Sequence, residues 1–313
     1  MQRTPNLARR GFAWEMKHNR TLYLMCVPAL LLLVAFAYLP MGGIYMAFTK
    51  FNVKDGIFGS PFVGFQNFSY FLSGNPYFWN AVKNTLIINF WGLILGTILP
   101  ITIAICMNEV KNGIFKKASQ SAMFFPYFLS WVVVSYFLFA FLDPTNGMIV
   151  RAQKAAGGAV VDWYNTPGYW PYILTICSIW KNTGYSTVLY LSAITGIDRS
   201  QYEAAAVDGA TKWQQMIHVT LPHLKPMIII LLIMNVGKIF NADFGLFWSV
   251  PMNSAPLFPV TQVVDTYVYR AYTSTGNVGM STAAGFLQNL VGFICIMAAN
   301  GIVRRLDADS SLF

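Results

Sequence analysis

Residues 203–222 read EAAAVDGATKWQQMIHVTLP, and this stretch is a polar interruption in an otherwise apolar chain. Asp198, just upstream, is a good helix N-cap and is followed three residues later by Gln201. A short helix is therefore predicted over residues 199–208. Gly209 is expected to end it, because glycine readily takes the left-handed conformation that follows many helices.

A second helix is predicted after this turn. Thr211, with Gln214 three residues later, has the form of a capping box. Leu221 and Pro222, and then Pro226, are expected to stop this second helix and redirect the chain into the next apolar segment. The pattern therefore predicts a polar helix-turn-helix.

Three alanines give the first of these helices an unusual surface. Ala204, Ala205 and Ala206 carry little side-chain bulk next to the carboxylate of Glu203. Another surface can approach such a backbone closely while the carboxylate stays available for pairing. We interpret the helix as a docking element; the alternative is an ordinary loop whose caps only stabilise two helices.

The spacing of Glu-Ala-Ala, a glycine six residues after the glutamate, and a later Leu-Pro resembles the EAA loop of permease subunits in binding-protein-dependent ABC importers. Val219 stands where that family usually has isoleucine. We call residues 198–222 the EAA loop. The resemblance implies a role in coupling to an ATPase for Glu203, Ala204, Ala205, Asp208, Gly209, Leu221 and Pro222.

The composition is that of a membrane protein. Of the 313 residues, 56% are hydrophobic and only 11% are charged. A helix needs about 20 largely apolar residues to cross a bilayer. Six windows satisfy this length, so we predict an all-α integral membrane protein with spans near residues 22–48, 81–107, 120–142, 171–193, 227–249 and 281–303.

The distribution of positive charge predicts the orientation of these spans. Of the 21 Lys and Arg residues, thirteen fall on the side of the EAA loop, six fall on or at the edge of the other side, and two lie near the middle of predicted spans. By the positive-inside rule both termini and the EAA loop are cytoplasmic. We expect residues 1–20 to form a cytoplasmic interfacial segment, residues 21–303 the transmembrane permease domain, and residues 304–313 a cytoplasmic tail.

Motifs of catalysis and phosphate binding are absent from the sequence. It has no GxxxxGK loop, HExxH pair, CxxC pair or GxSxG elbow, and its three histidines lack ligand spacing. We therefore expect no enzyme, no metal site and no cofactor in this chain. The net charge of +9 follows membrane topology, so nucleic acid is not an expected partner.

The resemblance extends over nearly the whole chain. Segments such as YLPMGGIYMAF (38–48), SPFVGFQNF (60–68), IWKNTGY (179–185) and IFNADFGLFW (239–248) resemble the polysaccharide or complex-oligosaccharide branch of sugar ABC importers, which includes permeases for alginate and pectin fragments. This implies a type I importer permease fold in a bacterial inner membrane. It also implies a second, similar permease, two ATPase subunits that bind ATP and Mg, and an extracytoplasmic binding protein.

Two lysines lie near the middle of predicted spans. Each of Lys181 and Lys238 costs at least about 2.5 kcal/mol near the bilayer centre unless water or a partner compensates the charge. One interpretation is that they face a translocation path and favour an acidic, uronate-containing glycan; the other is that they bond carbonyls or neutralise Asp243 and Asp265. The predicted path consists of Lys181, Asn182, Tyr185, Lys238, Asn241, Asp243, Trp248 and Gln288.

The function predicted from these observations is import of an oligosaccharide by alternating access, driven by ATP bound elsewhere. The alternative is a secondary transporter driven by an ion gradient. That class is expected to show internal repeats and discontinuous helices at the membrane midplane, and the sequence shows no convincing repeat.

Overall fold

The computed structural model describes residues 14, 18–72, 74–307 and 311–312, and the regular secondary structure of this part of the chain is helical apart from one isolated antiparallel bridge between Thr49 and Phe62. Most of the interfacial segment expected over residues 1–20 lies outside the described residues. The α-helices are α1 (Arg20–Leu33), α2 (Gly56–Gly59), α3 (Gln66–Leu72), α4 (Pro76–Glu109), α5 (Gly113–Phe124), α6 (Trp131–Leu142), α7 (Met148–Ala155), α8 (Trp170–Thr195), α9 (Arg199–Val207), α10 (Lys212–Gln215), α11 (Leu221–Val236), α12 (Phe244–Ser249), α13 (Phe258–Thr261), α14 (Val264–Thr275) and α15 (Val278–Leu306).

Four helical runs in the described chain are long and apolar enough to cross a membrane: Arg20–Phe48, Pro76–Glu109, Lys212–Val236 and Val278–Leu306. The first continues α1 through a π turn and a 3-10 segment. The predicted fourth span corresponds to α8, a single helix of 26 residues that is too polar to be counted by the same criterion. The all-α class is confirmed, with four apolar spans, or five if the bent pair of α5 and α6 is counted as one.

The third predicted span, residues 120–142, is wrong as a single straight helix. The run ending at Phe128 and the helix α6 are bent by 101° relative to each other. Pro126 lies in a 3-10 turn, Leu129 is extended, and the Ser130 hydroxyl caps α6 by accepting a hydrogen bond from Val133 N at 3.3 Å. A proline followed by a new N-cap ends one helix and begins another.

The fifth predicted span, residues 227–249, is also broken. Helix α11 ends at Val236, and α12 begins at Phe244 with the Asp243 side chain as its N-cap. We call the non-helical residues 237–242 the α11–α12 linker. A side chain at Gly292 of α15 would place its Cβ only 2.3 Å from the Gly237 carbonyl oxygen, so the linker and α15 touch backbone to backbone.

The expected stop at Leu221 and Pro222 is wrong. Helix α10 passes through a π turn at Met216–Thr220 directly into α11, with Pro222 in the first turn and Pro226 further in. The Leu221 N–H bonds the Met216 carbonyl five residues back, so the α-helical hydrogen-bond pattern is already interrupted where Pro222 removes an N–H. The second helix of the EAA loop therefore continues as the beginning of a span.

The chain divides into two compact units. The first contains residues 1–69 and 277–283. Within its described part, the Asn67 side-chain amide donates hydrogen bonds to the carbonyls of Ala47 and Thr49, both at 2.9 Å. A Cβ at Gly279 would lie 2.7 Å from the same amide nitrogen. Helix α3 therefore secures the end of the first span and the start of α15 within this unit.

The second unit contains residues 70–276 and 284–313 and has two buried apolar clusters. Helix α8 contributes to both clusters, and so does α4. The larger consists of Ile88, Val134, Leu142, Tyr164, Trp170, Leu174, Cys177, Leu246, Phe247, Val250, Leu257 and Val263, and the smaller of Ala104, Met107, Tyr190, Leu191, Ile194 and Leu224. The pairing of α4 with α8 therefore forms the frame of this unit.

Candidate functional site

A cavity of about 470 Å³ lies within the second unit between α4, α8 and the α11–α12 linker. Its wall is rich in amide and hydroxyl groups and carries one lysine. The lining residues are Asn89, Gly92, Leu93, Gly96, Tyr127, Ser178, Ile179, Asn182, Thr183, Tyr185, Ser186, Asn235, Lys238, Ile239 and Asn241. A polar cavity bounded by apolar helices suits a hydrated ligand with many hydroxyl groups.

Four of the eight predicted path residues lie in this wall: Asn182, Tyr185, Lys238 and Asn241. Lys238 is exposed, and its ammonium makes no hydrogen bond or ion pair with any residue that the structure describes. The pairing considered between Lys238 and Asp243 is not formed. The wall therefore presents an unpaired cation to whatever occupies the cavity.

Lys181 has a different environment, although it also lies on α8. Its Nζ donates a hydrogen bond to the Tyr127 carbonyl at 2.9 Å and lies 5.2 Å from the ring centre of Trp131. This lysine is outside the cavity wall. Of the two interpretations of its charge, the structure shows bonding to a carbonyl.

The remaining three predicted path residues lie outside the wall. Asp243 caps α12 and accepts a hydrogen bond from Trp131 Nε1 at 2.7 Å. Trp248 stacks on Phe244 with ring centres 5.4 Å apart. Gln288 donates to the Phe240 carbonyl at 2.9 Å. All three side chains are engaged with neighbouring protein groups.

Sequence reasoning missed several residues of the wall. Tyr127 stacks on Tyr185 with ring centres 4.7 Å apart and planes inclined by 14°, so the two rings form a flat aromatic surface. Gly92 and Gly96 also line the cavity, and no atom lies within 4 Å of a Cβ added at either position. Their GxxxG spacing is typical of helix packing; here it leaves space along α4.

The helix-turn-helix predicted for the EAA loop is present. Helix α9 begins after Asp198, whose carboxylate accepts a hydrogen bond from Ser200 N at 3.0 Å. That bond holds the pKa of Asp198 below its usual value. Gly209 has φ of +80°, and Thr211 and Gln214 form the predicted capping box. The turn therefore uses a conformation that favours glycine.

Contacts within the EAA loop fix its two helices against each other. The hydroxyls of Tyr202 and Thr220 are 2.9 Å apart, and Gln215 Nε2 donates to the Ala210 carbonyl at 3.3 Å. A second cavity, of about 250 Å³, lies beside the turn. Its lining residues are Ala205, Asp208, Gly209, Ala210, Gln214, Gln215, His218 and Val219.

The surface of the EAA loop is exposed and partly apolar. Glu203 is exposed and pairs with Arg199 at 3.1 Å. Val207 is 88% exposed and Trp213 is 67% exposed, and neither was singled out from the sequence. Large exposed apolar side chains on a polar loop are typical of a surface that binds another protein. Lys212 connects the loop to the end of α4 through Glu109 at 3.4 Å.

Several apolar spans, a polar cavity with an unpaired cation, and an exposed helical loop define a membrane transport component. The chain belongs to the family of binding-protein-dependent transport system inner membrane components, whose model matches residues 21–307. It is therefore a permease subunit of an importer in a bacterial inner membrane. The members of this family are transporter components and not enzymes. Because the chain belongs to it, the alternative of a secondary transporter driven by an ion gradient is excluded.

Relatives and solved structures agree with this assignment. The polygalacturonan/rhamnogalacturonan transport system permease protein YteP of Bacillus subtilis (strain 168) is 35% identical over 303 residues, which cover 96% of this chain and 93% of the relative. Protein LplB of the same organism is 33% identical and covers 96% and 95%. The crystal structure of a bacterial ABC transporter involved in the import of the acidic polysaccharide alginate matches with a TM-score of 0.83 at 31% identity, covering 94% of this chain and 98% of that one.

Proposed function

We propose that this chain is one of two permease subunits of an ATP-driven importer for acidic, uronate-containing oligosaccharides. The observation that carries the proposal is the unpaired ammonium of Lys238 in the wall of a polar cavity. A cation without a partner is expensive within the membrane region of a protein. A substrate carboxylate that enters the cavity supplies the missing partner.

The rest of the wall suits a sugar. The stacked rings of Tyr127 and Tyr185 offer an apolar face to a pyranose ring, while the amides of Asn182 and Asn241 can bond its hydroxyls. Relatives of the chain support the acidic class, since one is named for polygalacturonan and rhamnogalacturonan and a similar structure for alginate. Both names describe polymers that carry carboxylates.

The proposed assembly has a second permease subunit beside this one and two ATPase subunits that bind ATP and Mg. The binding protein delivers the substrate from outside, and both termini and the EAA loop are cytoplasmic. One ATPase would receive the EAA loop at the surface formed by Glu203, Val207 and Gly209. ATP binding and hydrolysis would then switch the permease pair between outward-open and inward-open states.

The test is uptake by the complete importer in proteoliposomes. An oligogalacturonide is compared with the same oligosaccharide in which the carboxylates are methyl-esterified and therefore neutral. Lys238→Met should lower uptake of the acidic form by about tenfold relative to the neutral form, because a hydrogen bond to a charged group contributes about 1.5 kcal/mol. An unchanged ratio at normal membrane levels would contradict the proposal.

Lys181→Met is the matched control, because it removes a lysine of similar depth that bonds the Tyr127 carbonyl and lies outside the wall. We expect it to lower uptake of both forms together, in proportion to any loss of protein from the membrane. A selective loss of acidic uptake in Lys181→Met alone would place the charge recognition elsewhere.

A further inference from the structure

The α11–α12 linker, residues 237–242, is non-helical backbone within the second unit, and all of its residues except the exposed Lys238 are partly buried. Its residues Lys238, Ile239 and Asn241 contribute to the cavity wall. Backbone carbonyls at membrane depth need hydrogen-bond donors, because the hydrocarbon offers none. The donors that serve this linker determine where its side chains point.

Two side-chain amides from distant helices supply these donors. Asn89 Nδ2 on α4 donates to the carbonyls of Ile239 at 2.8 Å and Asn241 at 2.9 Å. Gln288 Nε2 on α15 donates to the carbonyl between them, that of Phe240, at 2.9 Å. Three consecutive carbonyls of the linker are therefore held from outside the linker.

A carboxylate holds the far end of the linker. Asp265 Oδ2 on α14 accepts a hydrogen bond from Ala242 N at 2.8 Å and one from Gln288 at 3.3 Å. At the near end, Lys238 N bonds the Asn235 carbonyl at 3.0 Å and Asn241 N bonds the Lys238 carbonyl at 2.9 Å. Lys238 thus begins a tight turn whose other end is bonded by Asn89.

We propose that Asn89 is a specificity-determining positioning residue: by holding the Ile239 and Asn241 carbonyls, it fixes the turn that presents the Lys238 ammonium to the substrate carboxylate. The inference rests on the proposed function of Lys238. It adds a residue that the sequence did not single out, and it assigns that residue an effect on the choice between acidic and neutral substrates.

The chain offers a matched control on the same helix. Asn84 Nδ2 also donates to two carbonyls, those of Pro259 and Gln262, each at 3.0 Å. These acceptors follow α12 in the chain and are outside the cavity wall. Removing either asparagine side chain therefore removes two side-chain hydrogen bonds of α4, but only Asn89 bonds the linker.

The experiment uses the complete importer in proteoliposomes and measures the ratio of acidic to methyl-esterified oligogalacturonide uptake. We expect Asn89→Ala to lower this ratio severalfold and Asn84→Ala to leave it unchanged. In the Lys238→Met background, Asn89→Ala should lower the ratio no further, because no ammonium is left to position. A purely structural role would not produce this non-additivity.

Each remaining outcome overturns the inference in a recognisable way. If Lys238→Met lowers the ratio but Asn89→Ala reduces both substrates equally, the positioning role is wrong and the proposed function stands. If Lys238→Met leaves the ratio unchanged, both fail together. Should Asn89→Ala not reach the membrane, Asn89→Ser retains one donor and should give an intermediate ratio; a wild-type ratio from that variant counts against the proposal.

Discussion

At the scale of single residues, glycine sets the closest approach of two helices in the second unit. A Cβ added to Gly184 of α8 would lie 1.8 Å from the Met123 carbonyl oxygen and 2.9 Å from Phe124 N. These are backbone atoms near the end of α5, so no side chain can move aside to make room. The contact holds the bend between α5 and α6 against α8.

We therefore expect Gly184→Ala to destabilise the protein by about 1–3 kcal/mol, the range seen when a methyl group is forced into a packed interface. The measurement is the thermal unfolding midpoint of the purified permease in detergent. The midpoint should fall, and so should the amount of protein recovered from membranes.

Gly96→Ala is the matched control for this substitution. Gly96 also lies in a long helix, but no atom is within 4 Å of a Cβ added there. The unfolding midpoint of this variant should not fall, and it should rise slightly, because alanine is favoured over glycine inside a helix by about 0.5–1 kcal/mol. An equal fall in the two variants would show that the contact with Met123 is not the cause of the effect.

The candidate cavity could be predicted from the sequence only in part. Polar residues inside a span, such as Asn182 and Lys238, stand out because they are costly there. Asp243 and Gln288 carry the same signal but bond neighbouring protein groups in the structure. A polar side chain in a span needs some partner, and the sequence does not say whether that partner is substrate or protein.

At the scale of helices, the sequence correctly predicted the helix caps, which depend on residues close together in the chain. The caps at Asp198 and Thr211 form as expected, because each bond joins residues two or three positions apart. The break after Val236 was not predicted, because its carbonyls are satisfied by Asn89 and Gln288, far away in the sequence. From the sequence alone, such a linker is predicted as part of an apolar helix, because its hydrogen-bond donors lie on distant helices.

The broken helix also changes how transporter classes are distinguished. Discontinuous helices were expected for the secondary transporter, yet this ABC permease has one between α11 and α12. The criterion was wrong because non-helical backbone at membrane depth is tolerated in any membrane protein where it lines a cavity or is bonded by neighbouring protein groups. The EAA loop and the family match distinguish an ABC permease from a secondary transporter instead.

The EAA loop supports a prediction about docking. Gly209 has φ of +80°, with no atom near a Cβ added there. A β-branched residue at such a backbone conformation costs about 1–3 kcal/mol, which the chain can relieve by changing the turn. We expect Gly209→Val to lower co-purification of the ATPase subunit about tenfold, while the permease itself stays in the membrane.

A control separates docking from backbone strain. Gly157, outside the EAA loop, has φ of +67° and is equally free of close neighbours. Gly157→Val introduces similar strain at a distant turn and should leave the ATPase bound. Loss of the ATPase in both variants, or in neither, would be inconsistent with docking through this turn.

At the scale of the whole molecule, the composition predicted the class of protein better than it predicted individual helices. The apolar fraction of the sequence is high because every span needs about 20 largely apolar residues to cross the bilayer. The bends at Ser130 and in the α11–α12 linker depend on specific neighbours, so they are invisible to averages over about 20 residues. The class and the approximate spans were predictable, and the geometry of the cavity was not.

The sequence also predicts that the chain does not work alone. It has no GxxxxGK loop, and the segments between its predicted spans, such as residues 49–80, are too short for a ligand receptor. The isolated subunit in liposomes should neither hydrolyse ATP nor accumulate oligosaccharide, and both activities should return when the ATPase, the second permease and the binding protein are added. If the isolated subunit accumulates oligosaccharide when a proton or sodium gradient is applied, the prediction is wrong.

The origin of the donors to the linker has a consequence for biosynthesis. Asn89 is translated before the linker, whereas Gln288 is translated almost fifty residues after it. The donor to the Phe240 carbonyl is thus synthesised only after the linker itself. The linker therefore reaches its full set of hydrogen bonds only when α15 packs against it.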